Sequence, residues 1–520
     1  VYAHAALAKR AIFGRKQPAT SNAGMVVCSH PIATRAAADV LRDGGNAIDA
    51  ALCAAITQTV VEPHMTTITG MLSLLHHDAS TGTQTYLNGN VNAPLEPLGT
   101  YRAADTMTGR GVAVPGFWAA FEGAHERFGT LPRARLMAPA IELARDGFPI
   151  HPYLFGEMYL YMKAIGRSAQ GREIYLPDNA LLSVGDVLVQ SRAADTLERL
   201  CDEGSEFFYC GDFAASIVDV VCAAGGVLTR EDFEVYEPRW DEPVRGTYRG
   251  FDIVGSPPPD TGGAHLIEIL NLVDLLRADP STADGLYWLA RICEEVRFDG
   301  ARWSEGIAPP DALSKEHAER RLGQMRRTSP PKGLIWPPSF SSPPPGSNHV
   351  TVVDGHGSVV TMLHSCLSDA FANGLWAEGI HVCGAGGHFL RTMPAPGRRA
   401  SVFVAPNILF RHGEPVLASG SPSGALLACI VQNVINVLDH DDDIATSVHR
   451  PRFGNSVGAG VMMETDLGEE LIAGVRDRGL PVDVVPPWYH PCGAFEGIVI
   501  DTGTLTACGD PRRTSAAEGA

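Results

Sequence analysis

Residues 341–363 read SSPPPGSNHVTVVDGHGSVVTML, a proline-rich run that passes without transition into an apolar β-hairpin. Proline has no N–H to give a ladder, so Ser341–Gly346 is no part of a sheet, while HVTVVD and SVVTML read as paired, buried strands. A junction of this kind invites chain cleavage. The residue that a cut before the hairpin exposes is read as Asn348, whose amide nitrogen is delocalised and performs no acyl transfer. Is this an enzyme, a disabled enzyme, or an enzyme in altered form?

Outward from the junction, the texture differs on its two sides. Upstream, 32–57 (IATRAAADVLRDGGNAIDAALCAAIT) reads as two Ala-rich helices broken at Gly44-Gly45. TQTYLN alternates as a strand, VAVPGFWAAFEGAHERFG as a strand feeding a helix, and MAPAIELARDGFPI as a helix closed by Gly147. LIEILNLVDLL and GLYWLARICEEVRFDGARWSEG are amphipathic helices. Seven prolines lie between Pro330 and Pro345, marking a linker over 324–347. Downstream come strands in HVTVVD, SVVTMLH, SVFVAPNILF, PVLASGSPSG and GIVIDTG, interrupted by the helix ALLACIVQNVINVLD. Helices first and strands later, with ribbons from both parts free to pair, give an α/β (α+β) fold of four αββα layers. The expected division is a large segment, 1–347, and a small segment, 348–520, forming one domain together.

Composition limits the partners. A net charge of −18 disfavours nucleic acid, whose binding requires a basic surface. Eleven cysteines without a C-x-x-C pair give neither metal spacing nor a disulfide framework. No run of 18 apolar residues spans a membrane, and the start lacks the apolar core of a signal peptide, so a cytoplasmic location is expected. No metal and no cofactor are called for. The expected partners are a small-molecule substrate, the other segment once the chain is cut, and, as an open point, further copies of the chain.

SGSPSGALLACI carries chemistry of its own. A Gly/Ser turn enters a helix N-terminus there, and the backbone N–H groups of Ser423 and Gly424 suit an oxyanion or carboxylate; an ordinary capped helix start has the same pattern. The run DHDDD (Asp439–Asp443) reads as a helix end and the cap of the next helix rather than a metal cluster. Cys366 and Cys383 lack an activating partner.

With DGGNAIDAALCAA (Asp43–Ala55), VVEPHMT (Val60–Thr66), VAVPGFWAAF (Val112–Phe121), APAIELARDGF (Ala138–Phe148) and SPPPDTGGAHLIEILN (Ser256–Asn271), the chain resembles the γ-glutamyltransferase family of N-terminal-nucleophile hydrolases. SNHVTVVDGHGSVVTM (Ser347–Met362), GSPSGA (Gly420–Ala425), HRPRFG (His449–Gly454) and GDPRR (Gly509–Arg513) continue the resemblance in the same order. It implies a self-cleaving precursor whose freed Thr attacks with its hydroxyl, its own α-amine serving as base. Placed on this chain, the cut falls between Ser347 and Asn348, and Asn348 occupies the nucleophile position. Using Ser347 instead needs a one-residue shift, which turns the side chain to the opposite face of the strand.

The glutamyl pocket that the resemblance implies is missing. Asn90 stands where the carboxylate-clamping Arg is expected, His388 where an Asp holds the α-amine, and Val402 and Phe403 where paired serines stand. A substrate-recognising Asn falls near Ser365. Losing one charge-assisted contact of this kind costs about 2–5 kcal/mol, so γ-glutamyl substrates are excluded. His388 reads equally as a plain loop residue, His349 as packed against the hairpin, and Arg398-Arg399 as a solvated pair. One reading is an enzyme retuned to another carbonyl and held uncut and inactive by Asn348. Its substrate is then a carbon–carbon bond beside an activated ketone, releasing oxalate from a proline-like intermediate, as implied by similarity to the actinobacterial branch that builds 4-alkylproline units for antibiotics. The alternatives are a side-chain amide, as in cephalosporin acylases, and a non-catalytic pseudoenzyme.

Overall fold

The computed structural model describes residues 2–277, 279–300, 311–330, 347–456 and 460–520. Most of the proline-rich linker, 331–346, therefore lies outside the described residues. Two seven-stranded sheets organise the rest. In spatial order the first holds Pro18–Ser21, Thr504–Cys508, Ile498–Asp501, Glu414–Ser419, Asn407–Arg411, Phe251–Gly255 and Val244–Tyr248. The second holds Ala516–Gly519, Met25–Cys28, Asn348–Val353, Val359–Ser365, Met71–Asp78, Thr83–Gly89 and Arg239–Asp241. Both sheets interleave strands from the two sides of residue 347.

The strand period of two divides the apolar residues between three layers. Met25, Val27, Leu75, Val353 and Val359 meet Val254, Ile408, Ala418 and Ile498 between the sheets. On the outer face of the second sheet, Val26, Leu72, Leu74, Val350, Val352, Val360 and Met362 pack under helices. These include Pro31–Arg42, Ala47–Val61, Phe117–Phe128 and Arg133–Asp146. Ile253, Leu409 and Leu417 on the first sheet's outer face meet Gly262–Leu276, Ala283–Gly300 and Leu426–Asp439. This is the expected αββα stack.

Local signals account for the helix bounds. Asn46 closes a capping box with Asp49, and an almost wholly buried Ala-rich run follows to Val61. Gly147, at φ 80°, ends Arg133–Asp146. Asp443 accepts from Thr446 N at 2.8 Å and caps Ile444–His449, so the acidic run DHDDD is a helix boundary. Two expected strands are shorter than their patterns. Around Val112–Pro115 only isolated bridges form, to Gly384 and Asn92. SVFVAPNILF pairs only over Asn407–Arg411, because Pro406 gives no N–H and Val402 bridges Asp260 alone. Among the described residues, no helix is long and apolar enough to cross a membrane.

Candidate active site

The strand Asn348–Val353 alternates its side chains between two environments. Asn348, Val350 and Val352 face the helices, where Val350 and Val352 join the outer core. His349, Thr351 and Val353 face the first sheet: Thr351 Oγ1 donates to Glu496 O at 2.7 Å, and the His349 ring lies against Gly420. The antiparallel partner Val359–Ser365 sets Asn348 opposite His364. Ser347, one step earlier, lies on the first-sheet side. Its Oγ donates to Ser365 Oγ at 3.0 Å, and Ser365 Oγ also accepts from Leu367 N at 2.8 Å.

This alternation separates Asn348 from Ser347. Asn348 is fully buried, and its Oδ1 accepts from Arg513 Nη2. The surrounding groups are Glu62, at the end of the Ala-rich helix, and His364, which bridges Thr66 Oγ1 and Gln58 Oε1 at 2.8 and 2.9 Å. The one-residue shift that argued against Ser347 is the shift that turns its hydroxyl toward the first sheet. Asn348, expected at the nucleophile position, thus faces the helices, and the residue with a hydroxyl on the first-sheet face is Ser347.

The turn Ser423-Gly424 leaves the first-sheet strand Glu414–Ser419, and Gly420 ties it to the junction. A Cβ on Gly420 would lie 2.0 Å from His349 Cε1, so the approach demands glycine. Thr361 Oγ1 joins the two sides, bonding His349 Nε2 at 2.9 Å and donating to Ser419 O at 3.0 Å. Among the described residues, no acceptor takes the N–H of Ser423 or of Gly424, which leaves both donors for a ligand. Ser423 has φ 98°, in the region that favours glycine. A serine there costs on the order of 1 kcal/mol, so the side chain at 423 is not a neutral choice for the turn. Its Oγ accepts from Ala425 N at 3.3 Å.

Glu496 connects three parts of the site. Its backbone N donates to Gly420 O at 3.0 Å, and its Oε1 accepts from Ser29 Oγ and Ser515 Oγ, each at 2.8 Å. Burial pushes its carboxyl up to about 8. A carboxyl raised in the folded chain takes up a proton on folding. Its stabilisation is complete below its ordinary pKa and is lost as pH rises through about 8. Glu157 and Asp260 are also raised by burial, to about 7 and about 6, so Glu496 controls the upper end of the window. Glu496→Gln is expected to flatten the fall in stability between pH 7 and 8, a slope of up to about 1.4 kcal/mol per pH unit. Denaturant unfolding of both proteins at the two pH values checks this.

The C-terminal stretch Asp510–Ser515 is fixed by buried charge pairs. Arg512 makes a fork to Glu464 at 2.7 and 2.6 Å, and Arg452 pairs with Asp510 at 2.9 Å. Arg513 meets Glu62 only at 3.7 Å while donating to Ser347 O at 2.9 Å. Thr514 Oγ1 donates to Ser29 O at 2.6 Å and to Glu62 Oε1 at 3.0 Å. Sequence reading quoted GDPRR and VVEPHMT as motifs but gave Arg513 and Glu62 no role. Their signal was present: a carboxylate closing an apolar, Ala-rich helix needs a buried partner.

The expected pocket residues do not converge. Ser365 accepts from Ser347 Oγ at 3.0 Å. The Asn90 amide donates to Asp260 Oδ1 at 3.0 Å and to Ala400 O at 3.3 Å, and its Oδ1 accepts from Val91 N at 2.8 Å. Asp260, which also accepts from Ser73, Tyr86 and Asn88, is a hub that the sequence did not announce. Val402 and Phe403 do not share one floor: Val402 belongs to an apolar cluster with Cys366, Cys383 and Phe389, whereas Phe403 packs on the first sheet's outer core. His388, half-buried, sits in the helix Gly386–Arg391 beside Phe389. Arg399 is no solvated cation, since its arms reach Asn90 O, the Tyr236 hydroxyl and Glu237 O and it stacks on Tyr236 at 4.7 Å. Among the described residues, no group of three His, Cys, Asp or Glu could hold a metal ion.

Comparisons with known proteins cover nearly the whole chain. The family model for Gamma-glutamyltranspeptidase matches residues 33–520. The chain is 28% identical to the glutathione hydrolase proenzyme of Bacillus subtilis, covering 97% of this chain and 92% of the relative. It is 30% identical to the acylase ACY 1 proenzyme of a Pseudomonas species, covering 94% and 92%. Cephalosporin acylase from Bacillus halodurans superimposes with a TM-score of 0.86 at 25% identity over 97% of each chain. A structure of an LmbA variant superimposes at 0.85 with 22% identity, covering 98% and 100%.

Proposed function

The chain belongs to the gamma-glutamyltranspeptidase family, and from that premise we propose that it is an N-terminal-nucleophile hydrolase whose nucleophile is Ser347. One observation carries this: Ser347 Oγ, bonded to Ser365 Oγ, lies on the strand face that looks to the first sheet and its Ser423-Gly424 turn. The self-made cut then falls between Gly346 and Ser347, and Asn348 is a structural residue. In turnover the Ser347 α-amine takes the hydroxyl proton as Oγ bonds to the substrate carbonyl. The resulting oxyanion rests on the N–H groups of Ser423 and Gly424. Collapse expels the leaving group, which receives the proton, and water hydrolyses the acyl ester.

The substrate carries no γ-glutamyl group in this reading. The Asn90 amide is spent on Asp260 and Ala400, and Val402 belongs to an apolar cluster, so no charged clamp stands at these positions. We read the scissile bond as a carbon–carbon bond beside an activated ketone, with an unsaturated, proline-like ring near Val402. Its carbon leaves as an enamine, and hydrolysis of the oxalyl ester releases oxalate. Hydrolysis of a side-chain amide is the second reading, favoured by the 30% identity to the acylase proenzyme.

The purified protein is expected to leave γ-glutamyl-p-nitroanilide and glutathione untouched and to release oxalate from a 4-substituted dihydropyrrole carboxylate bearing an oxalyl group. Turnover of an aryl or acyl amide alone favours the second reading. Transfer of a γ-glutamyl group to a dipeptide overturns both, and inertness toward every substrate leaves a pseudoenzyme.

A further inference from the structure

Three buried arginines come together in the C-terminal part of the fold, and one is matched differently. Arg452 and Arg512 have carboxylates at hydrogen-bond distance, Asp510 and Glu464. Arg513 is also fully buried, but its acid, Glu62, stands off at 3.7 Å, and its Nε has no partner among the described residues. Its two other nitrogens grip the peptide that bears the nucleophile: Nη1 on Ser347 O at 2.9 Å, and Nη2 on Asn348 Oδ1. Its guanidinium lies 5.4 Å from the Tyr153 ring centroid. A buried cation is therefore held on the carbonyl of the residue whose α-amine must act as base.

We propose that Arg513 is a positioning residue that both fixes the Ser347–Asn348 peptide and lowers the pKa of the Ser347 α-amine, so that the amine is neutral and ready to accept a proton at neutral pH. This rests on the assignment of Ser347 as nucleophile. The amine is bonded to the same Cα as the carbonyl that Arg513 holds, which puts guanidinium and amine within about 6 Å. At an effective dielectric of about 20 that distance is enough to move an ionisation by a unit or more. Asn348 completes the device: a neutral acceptor there engages Nη2 without cancelling the charge, which a carboxylate would do.

Other titratable groups among the described residues surround Arg513. His30, His64, His151, His364 and His490 are lowered by burial and carry no charge at neutral pH. Tyr153 is raised by burial and stays protonated. The acids Glu62, Glu157 and Glu496 oppose Arg513 when ionised, but burial raises each of them. Glu62, tied to Arg513 and Thr514, is the principal counterweight. Its removal should move the amine in the opposite direction from removal of Arg513.

The test is the pH dependence of acetylation of the Ser347 amine by trace acetic anhydride, read from the mass of the small segment's first peptide. An unperturbed α-amine titrates at about 7.7–8.0. In the unaltered, cut protein the Ser347 amine is expected below about 7, with Arg513→Gln raising it by about one unit, Arg513→Lys retaining most of the depression, and Glu62→Gln lowering it further. A residue that only braces the fold would change the yield of cut protein and leave this titration in place. An amine at or above 7.7 in the unaltered protein overturns the proposal, as does an Arg513→Gln protein that titrates with it. If Arg513→Gln is not cut, the unaltered and Glu62→Gln proteins still decide. A small segment that does not begin at Ser347 refutes the nucleophile assignment and this proposal together, whereas an unshifted amine on Ser347 refutes this proposal alone.

Discussion

Ser347→Ala is expected to leave a single 55.4 kDa chain, where the unaltered protein divides into pieces of about 37 and about 18 kDa. On the proposed assignment, the hydroxyl that Ser347 presents to Ser365 is the group that attacks the preceding carbonyl. Attack exchanges the Gly346–Ser347 amide for an ester on Oγ, with the Oγ proton passing to the departing nitrogen, and water then opens the ester. Alanine has no such atom, so the loss is complete rather than partial. Asn348→Thr changes nothing in the cut on this view, because residue 348 faces the helices and binds Arg513. Denaturing gels of the three proteins suffice. Cleavage that appears only when Thr occupies 348 would return the nucleophile to that position.

Gly420→Ala is expected to lower both stability and turnover severely. A methyl group there meets the His349 ring at 2.0 Å, and His349 cannot retreat because Thr361 holds it on one side and its strand lies on the other. Overpacking of this kind costs about 3 kcal/mol. The chain would relieve it by moving residues 420–424, which carry the Ser423 and Gly424 donors. Displacing an oxyanion donor costs about a hundredfold or more in turnover. Calorimetry and kcat of the cut protein measure the two effects separately. Normal turnover in a folded Gly420→Ala protein would remove Ser423-Gly424 from the mechanism.

The layered fold was legible because its signals are local and periodic. The Gly44-Gly45 break, the cap at Gly147 and the alternation of HVTVVD each specify their element without tertiary help. The strands around Val112 and Ser401 were overdrawn, since apolar alternation does not reveal that Pro115 and Pro406 lack donors or that the neighbours are loops. At the site, motif order located the junction and the turn, but the face of a strand is set by register, which one residue inverts. Only the packing of Val350 and Val352 under the helices, and of His349 against Gly420, shows which face residue 347 occupies. Arg513, Glu62 and Glu496 stayed hidden for another reason. Their partners lie hundreds of positions away, so the sequence shows that a buried carboxylate such as Glu62 needs a partner without showing which residue supplies it.

The most direct measurement is the N-terminal sequence and intact mass of the smaller piece of the purified protein. Ser347 as its first residue, followed by Asn348-His349-Val350, is the predicted result. A piece beginning at Asn348, or a chain that remains whole with Ser347 in place, contradicts it.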